Sequence, residues 1–148
     1  MSTYTQIIYQ IVFSTKYRER TLTKDNREEL FKYIGGIIKN KKCNLYIING
    51  VEDHIHIVTH LHPSVSLASL VKDIKVSSSL YIKERNLFKY FRAWQEGYSA
   101  FTYTIKEKVR LINYVKNQEE HHRKKTSQKE NKELLKEHRV EYDEKYFL

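Results

Sequence analysis

Apolar and polar positions alternate along the chain with two distinct periods. Gln6–Ser14 contains IIYQIVF, a β-branched and aromatic run that predicts a strand. Thr23–Asn40 follows with Leu30, Ile34, Ile37 and Ile38 at helical spacing, and Thr23 or Asp25 can cap that helix. Gly35-Gly36 in its middle marks either a close crossing over a sheet or a break. Asn44–Asn49 and His54–Leu61 read as two strands, and Asn49-Gly50 opens a hairpin connection between them. Leu67–Arg85 is a second helix, with Leu67, Leu70, Val71, Ile74, Ser78, Tyr81 and Ile82 on its inner face. Trp94–Thr104 reads as a fourth strand and Lys106–His121 as a third helix. The order β-α-β-β-α-β-α is a split βαβ pattern, which predicts an α+β fold of the ferredoxin-like kind: an antiparallel sheet with helices packed on it.

The remainder, Arg123–Leu148, is dense in charge. Asn131–His138 predicts a short helix, and an aromatic end follows at Tyr142, Tyr146 and Phe147. This divides the chain into a body over residues 1–122 and a charged tail over 123–148. The run HHRKK at 121–125 reads as helix-end charge, favoured there by the helix dipole.

Composition narrows the class. A chain of 148 residues with 40% hydrophobic content can bury one core. No apolar run approaches the roughly 20 residues of a spanning helix. The first ten residues lack the order of a signal peptide. A single cysteine, Cys43, excludes a disulfide framework and a multi-thiolate zinc site, and reads as a small buried hydrophobe. A cytoplasmic location is the expectation. The net charge is +9, and residues 119–148 hold eight basic and eight acidic groups, so the whole excess belongs to residues 1–118. Such a body attracts polyanions, nucleic acid first among them. Twelve tyrosines and six phenylalanines add rings able to stack on unpaired bases.

Candidate chemistry centres on VEDHIHIVTHLH at 51–62. On a strand, His54 and His56 point to one face, about 6.5–7 Å apart, and Ile55 and Ile57 point to the other. Two imidazoles on a stiff support can hold a divalent cation. The spacing alone describes a surface histidine cluster equally well. Asp53 stands beside the pair, while His60 and His62 read as a solvated strand end. On the third helix, Tyr114, Gln118 and Arg110 share one side, and Ile105, Val109 and Ile112 form an apolar stripe on the other. Tyr114 and Gln118, four residues apart, can reach a common point. A tyrosine oxygen can attack phosphorus and form a phosphotyrosine link, with help from a cation that polarises the phosphate. Gln118 could offer its amide oxygen to a hard cation such as Mg²⁺ or Mn²⁺. Equally, Tyr114 fits an amphipathic residue at a helix–sheet or subunit boundary. Cations that could meet phosphates are Lys16, Arg18 and Arg20 after the first strand, Lys72 and Lys75 on the second helix, and Arg110. Trp94 reads as core.

Three separated blocks, Asp53-His54-Ile55-His56, Trp94-Gln95-Glu96-Gly97-Tyr98-Ser99-Ala100-Phe101 and Tyr114-Val115-Lys116-Asn117-Gln118, together resemble the single-strand DNA transposases of bacterial insertion sequences. These are one-tyrosine members of the His-hydrophobe-His endonuclease superfamily, and the chain is also similar to REP-associated tyrosine transposases. The resemblance runs over residues from about 4 to 122, and the tail Tyr142-Asp143-Glu144-Lys145-Tyr146 looks like the ending of many such chains. It implies a homodimer that binds hairpins at element ends and cuts single-stranded DNA. It also implies a tyrosine joined to a 5′-phosphate and a freed 3′-hydroxyl. Tyr114 would be the nucleophile, and His54, His56 and Gln118 the ligands of Mg²⁺ or Mn²⁺. Two other function classes keep the same residues in play: a domesticated nuclease of repeat palindromes, and a non-catalytic binder of structured nucleic acid.

Overall fold

The structure, a computed structural model, describes residues 2–122 and 125–143. The aromatic end at Tyr146 and Phe147, and Arg123 and Lys124 of the basic run, lie outside the described residues. In chain order the elements are β1 (Ile8–Ser14), α1 (Lys24–Asn40), β2 (Asn44–Gly50), β3 (His54–His60), α2 (Leu67–Arg85), β4 (Ser99–Tyr103), α3 (Lys108–Lys116), α4 (Gln118–His122) and α5 (Ser127–Glu137). The four strands form one sheet in the order β2-β3-β1-β4, with every neighbouring pair antiparallel. This is the split βαβ arrangement that the alternation of elements predicts.

Strand alternation gives the sheet two apolar faces, and helices cover both. Ile11 and Phe13 of β1 and Ile55 and Ile57 of β3 face α1 and α2, where they meet Leu30, Ile34, Ile38, Leu70 and Ile74. On the other face, Ile8 and Val58 pack on Leu111 and Val115 of α3. Val12 and Phe101 pack on Leu134 and Leu135 of α5. Each such aliphatic side chain, once buried, contributes about 1.5–3 kcal/mol. The central strand β3 is therefore buried on both sides, the two histidines included.

α1 runs unbroken through Gly35-Gly36. A Cβ on Gly35 would stand 3.3 Å from Leu45 Cδ2, so the glycine permits a close approach of helix to strand. Gly50 is more constrained, since a Cβ there would lie 2.4 Å from the backbone oxygen of His54. The hairpin that aims His54 thus depends on the absence of a side chain at 50.

Three expectations need correction. The fourth strand covers only Ser99–Tyr103, and Trp94 makes an isolated bridge to Thr15. Its ring instead packs edge-on against Phe13 and Phe91, and its Nε1 donates to Ser78 Oγ at 2.9 Å. Gly97, with φ of 82°, turns the chain between the two segments. The third helix is divided: α3 ends at Lys116 with Asn117 as its C-cap, and α4 begins afresh at Gln118. Finally, the expected apolar stripe of α3 faces solvent, with Ile105 49% and Val109 67% exposed. α3 lies on the sheet through Leu111, Tyr114 and Val115, spaced i, i+3 and i+4, and Gln118 at the start of α4 continues their line. A count of apolar residues misorients this helix because half of its buried side is polar and belongs to a site. Among the described residues, no helix is long and apolar enough to cross a membrane.

Candidate active site

His54 and His56 project from β3 into the space between the sheet and helices α3 to α5. They are 1% and 0% exposed, and their ring centroids are 5.1 Å apart. Buried imidazoles require partners, and each has one that fixes its ring. Asp53 Oδ1 lies 2.7 Å from His54 Nδ1, which turns His54 Nε2 inward. Gln10 Nε2 lies 3.0 Å from His56 Nδ1, and the Tyr103 hydroxyl donates to Gln10 Oε1 at 2.7 Å. A half-turn of the Gln10 amide exchanges its oxygen and nitrogen, so Gln10 can serve either tautomer of His56.

α3 carries Tyr114 to the same point. Its ring centroid is 6.1 Å from that of His56. Asn49 Nδ2 donates to the carbonyls of Val115 at 3.0 Å and Lys116 at 2.9 Å, which pins the end of α3 to β2. The break that follows lets Gln118 turn inward, where it is fully buried. All four residues that the sequence brought forward for chemistry, His54, His56, Tyr114 and Gln118, thus meet within one chain.

They meet around a residue that the sequence reading missed. Glu130 of α5 is 3% exposed. Its Oε1 lies 3.0 Å from His56 Nε2 and 3.3 Å from both His54 Nε2 and His122 Nε2. Its Oε2 accepts from the Tyr114 hydroxyl and, at 3.3 Å, from Gln118 Nε2. Asp53 holds the start of α5 as well, because Ser127 Oγ donates to Asp53 Oδ2 at 3.0 Å.

The electrostatics follow from burial and proximity. Burial opposes ionisation of Glu130, but the imidazoles of His122, His54 and His56 set against it outweigh burial and hold the carboxyl far below the usual carboxylate range. Burial likewise opposes a charged His54, yet Asp53 and Glu130 raise its pKa. His56 is lowered by burial. Burial and the charge of Glu130 push the Tyr114 phenol well above its ordinary value. The cavity is therefore built to hold positive charge beside Glu130.

Two buried polar atoms of this cluster have no hydrogen-bond partner among the described residues: His54 Nε2, which faces Glu130 Oε1 off the direction of a hydrogen bond, and Gln118 Oε1. Unpaired polar atoms at full burial are costly, about 1–3 kcal/mol each, unless a partner meets them. Imidazole nitrogens, an amide oxygen and a carboxylate form a donor set suited to a divalent cation of the Mg²⁺ or Mn²⁺ kind. The residues present fit such an ion.

The cationic candidates are dispersed. Arg20 lines a cleft of about 520 Å³ with Lys24, Arg27, Asp53, His122 and Lys125, directly beside the site. Arg18 is half-buried and donates to Ser127 Oγ at 3.1 Å. Lys16 is exposed next to Tyr17. Arg110 is exposed on α3 and pairs with Glu107 at 3.1 Å. Lys72 and Lys75 stand on α2, across the sheet from the histidines. Lys75 Nζ donates to the carbonyls of Gln95 at 2.7 Å and Gly97 at 2.8 Å, bracing that loop. His60 and His62 lie away from the site, bonded to Ile7 and Ser64. Cys43 is buried and free.

Gln10 carried a signal in the sequence, since it is a polar residue at the centre of an apolar strand. His122 and Glu130 carried none, because both sit in a charge-dense stretch where any residue reads as solvated.

Residues 3–118 match the family described as "Transposase IS200 like". The transposase for insertion sequence element IS200 of Salmonella typhimurium strain LT2 is 28% identical over 115 residues, covering 74% of this chain and 75% of its own length, and that of Salmonella typhi matches equally. Among solved structures, a presumed transposase of Deinococcus radiodurans R1 superposes with a TM-score of 0.61 at 18% identity, over 80% of this chain and 95% of its own. A REP-associated tyrosine transposase, solved bound to a REP hairpin, gives a TM-score of 0.58 at 14% identity, over 79% and 72%. With the family match spanning most of the sequence, the chain belongs to the IS200-like transposases.

Proposed function

We propose that this chain cuts and rejoins single-stranded DNA at hairpin-bearing ends through a covalent 5′-phosphotyrosine on Tyr114, with His54, His56 and Gln118 holding a divalent metal, Mg²⁺ or Mn²⁺. Membership in a transposase family implies a DNA-cleaving enzyme. The observation that carries the finer reading is the meeting of a half-buried, helix-borne phenol with two buried, sheet-borne imidazoles around one carboxylate.

A bound divalent cation would draw charge from the scissile phosphate and steady the departing oxygen. The protein does the rest. Asp53 and Gln10 fix the two imidazoles. Asn49 fixes the end of the tyrosine helix. In the reaction the Tyr114 oxygen forms a bond to phosphorus, the bond from phosphorus to the 3′ oxygen breaks, and that oxygen takes up a proton. Tyr114 gives its own proton up to solvent as that bond forms, while Glu130 Oε2 orients the hydroxyl. Reversal of the same exchange joins a new 3′-hydroxyl, so no external energy source is needed. Arg20 and Lys125 line the cleft beside the site and suit a phosphate backbone. Joining two DNA ends requires two such sites, which makes a homodimer the working unit. The residues 1–122 carry the nucleophile and the three ligands, and the reaction belongs in the cytoplasm, where the DNA is.

A second reading, cleavage of dispersed repeat palindromes, is favoured by one observation: a fold neighbour is bound to a REP hairpin. Hairpins flanking the gene support the first reading, and scattered repeats the second. The chemistry is tested by incubating the protein with Mn²⁺ or Mg²⁺ and a labelled hairpin oligonucleotide from such an end. A denaturant-stable adduct that disappears in Tyr114→Phe supports the reading. An adduct undiminished in Tyr114→Phe, or cleavage indifferent to metal, contradicts it.

A further inference from the structure

Glu130 and His122, on α5 and α4, lie outside the three ligands just proposed, and they complete the buried cluster. Their geometry is that of ligands. Donors about 2.1 Å from one ion stand about 3.0 Å apart at right angles and about 3.4 Å apart at tetrahedral angles. Glu130 Oε1 stands 3.0 Å from His56 Nε2, 3.3 Å from His54 Nε2 and 3.3 Å from His122 Nε2. Ligand atoms of His54, His122 and Glu130 all lie within 4.8 Å of one another. His54 Nε2 stands 3.3 Å from that oxygen with no hydrogen bond between them, a spacing that suits two ligands of one cation.

The divided labour of the carboxylate supports the same conclusion. Oε1 faces only imidazole nitrogens, whereas Oε2 takes the Tyr114 hydroxyl and the Gln118 amide. One carboxylate so placed ties the nucleophile to whatever occupies the imidazole side. α5 is built to deliver it. Thr126 caps the helix by accepting from Lys129 N at 3.2 Å, Ser127 anchors to Asp53, and Leu134 and Leu135 bury against Val12 and Phe101.

Resting on the metal reading above, we infer that Glu130 Oε1 and His122 Nε2 are ligands of the same divalent cation as His54 and His56, which makes α5 a part of the active site. A carboxylate that merely filled the cavity would compete with the ion; one that ligates it strengthens binding and adds negative charge where a dication is held.

The test is Mn²⁺ binding by the full chain, read by isothermal titration calorimetry without DNA. Glu130→Gln keeps the shape of the side chain, and His122→Asn changes a half-buried one. Each should weaken Mn²⁺ binding about tenfold or more. Glu133→Gln, one turn along α5 at the surface, should leave it unchanged. Pulsed electron paramagnetic resonance of Mn²⁺ on the unaltered protein should show nitrogen couplings from three imidazoles, a readout independent of how any variant folds. Unchanged or tighter binding in Glu130→Gln, or couplings from only two imidazoles, overturns the inference. If His56→Ala abolishes binding in that same series, the reading of His54 and His56 as ligands stands without it. If the unaltered protein and Glu130→Gln alike bind no Mn²⁺, both fall.

Discussion

The Tyr114 hydroxyl donates to Glu130, a residue sixteen positions later on a different helix. The bond joins the candidate nucleophile to the carboxylate that also faces both strand histidines, so the tyrosine is held ready at the site and restrained there. Tyr114→Phe should therefore separate chemistry from fold. Loss of a hydrogen bond to a charged acceptor costs about 1.5–3 kcal/mol of stability, while Glu130 keeps its other donors. The variant should remain folded by thermal denaturation and form no covalent DNA adduct.

Gln118 offers the opposite trade. Its Oε1 is buried without a partner among the described residues, which is a cost to the fold. Gln118→Leu removes that cost but also the hydrogen bond from Nε2 to Glu130 Oε2, so the two offset and thermal stability should stay within about 1 kcal/mol of the parent. Metal-supported cleavage of a hairpin substrate should fall about tenfold or more. A variant as active as the parent would strip Gln118 of its proposed role.

Gly50→Ala should damage the site through the backbone. A Cβ would stand 2.4 Å from the carbonyl oxygen of His54, and main chain must shift to admit it. Overpacking of this kind costs about 1–3 kcal/mol. The fall in melting temperature should be accompanied by weaker Mn²⁺ binding, because the displaced residue is itself a proposed ligand.

The docking of α5 can be weakened on its own. Leu134 is 7% exposed against Val12 and Phe101. Leu134→Ala should cost about 2 kcal/mol or more. Hydrogen exchange should quicken across 127–137 while β1 and β3 keep their protection, since α1 and α2 still cover the other face.

Much of this was legible in the residues. Period-two alternation in β3 correctly separated His54 and His56 from Ile55 and Ile57, and the element order gave the split βαβ sheet. The bounds of α2 were read to the residue. Legibility ended where burial was polar. The inner side of α3 combines Leu111 and Val115 with Tyr114 and Gln118, so an apolar count turned the helix around. Trp94 was rightly read as core, and its ring packs between Phe13 and Phe91, but aromatic rings favour strands, so the fourth strand was drawn too long at its start. Glu130 left no trace at all: one buried carboxylate among six acidic residues of a tail differs from the rest only by its partners, and partners more than seventy residues away are set by topology.

The most direct measurement is peptide mapping by mass spectrometry of the protein after reaction with a hairpin oligonucleotide and Mn²⁺. The account predicts a nucleotide joined through phosphate to the peptide containing Tyr114, and to no other tyrosine. A nucleotide attached elsewhere, or cleaved DNA with no protein-bound nucleotide, would contradict it.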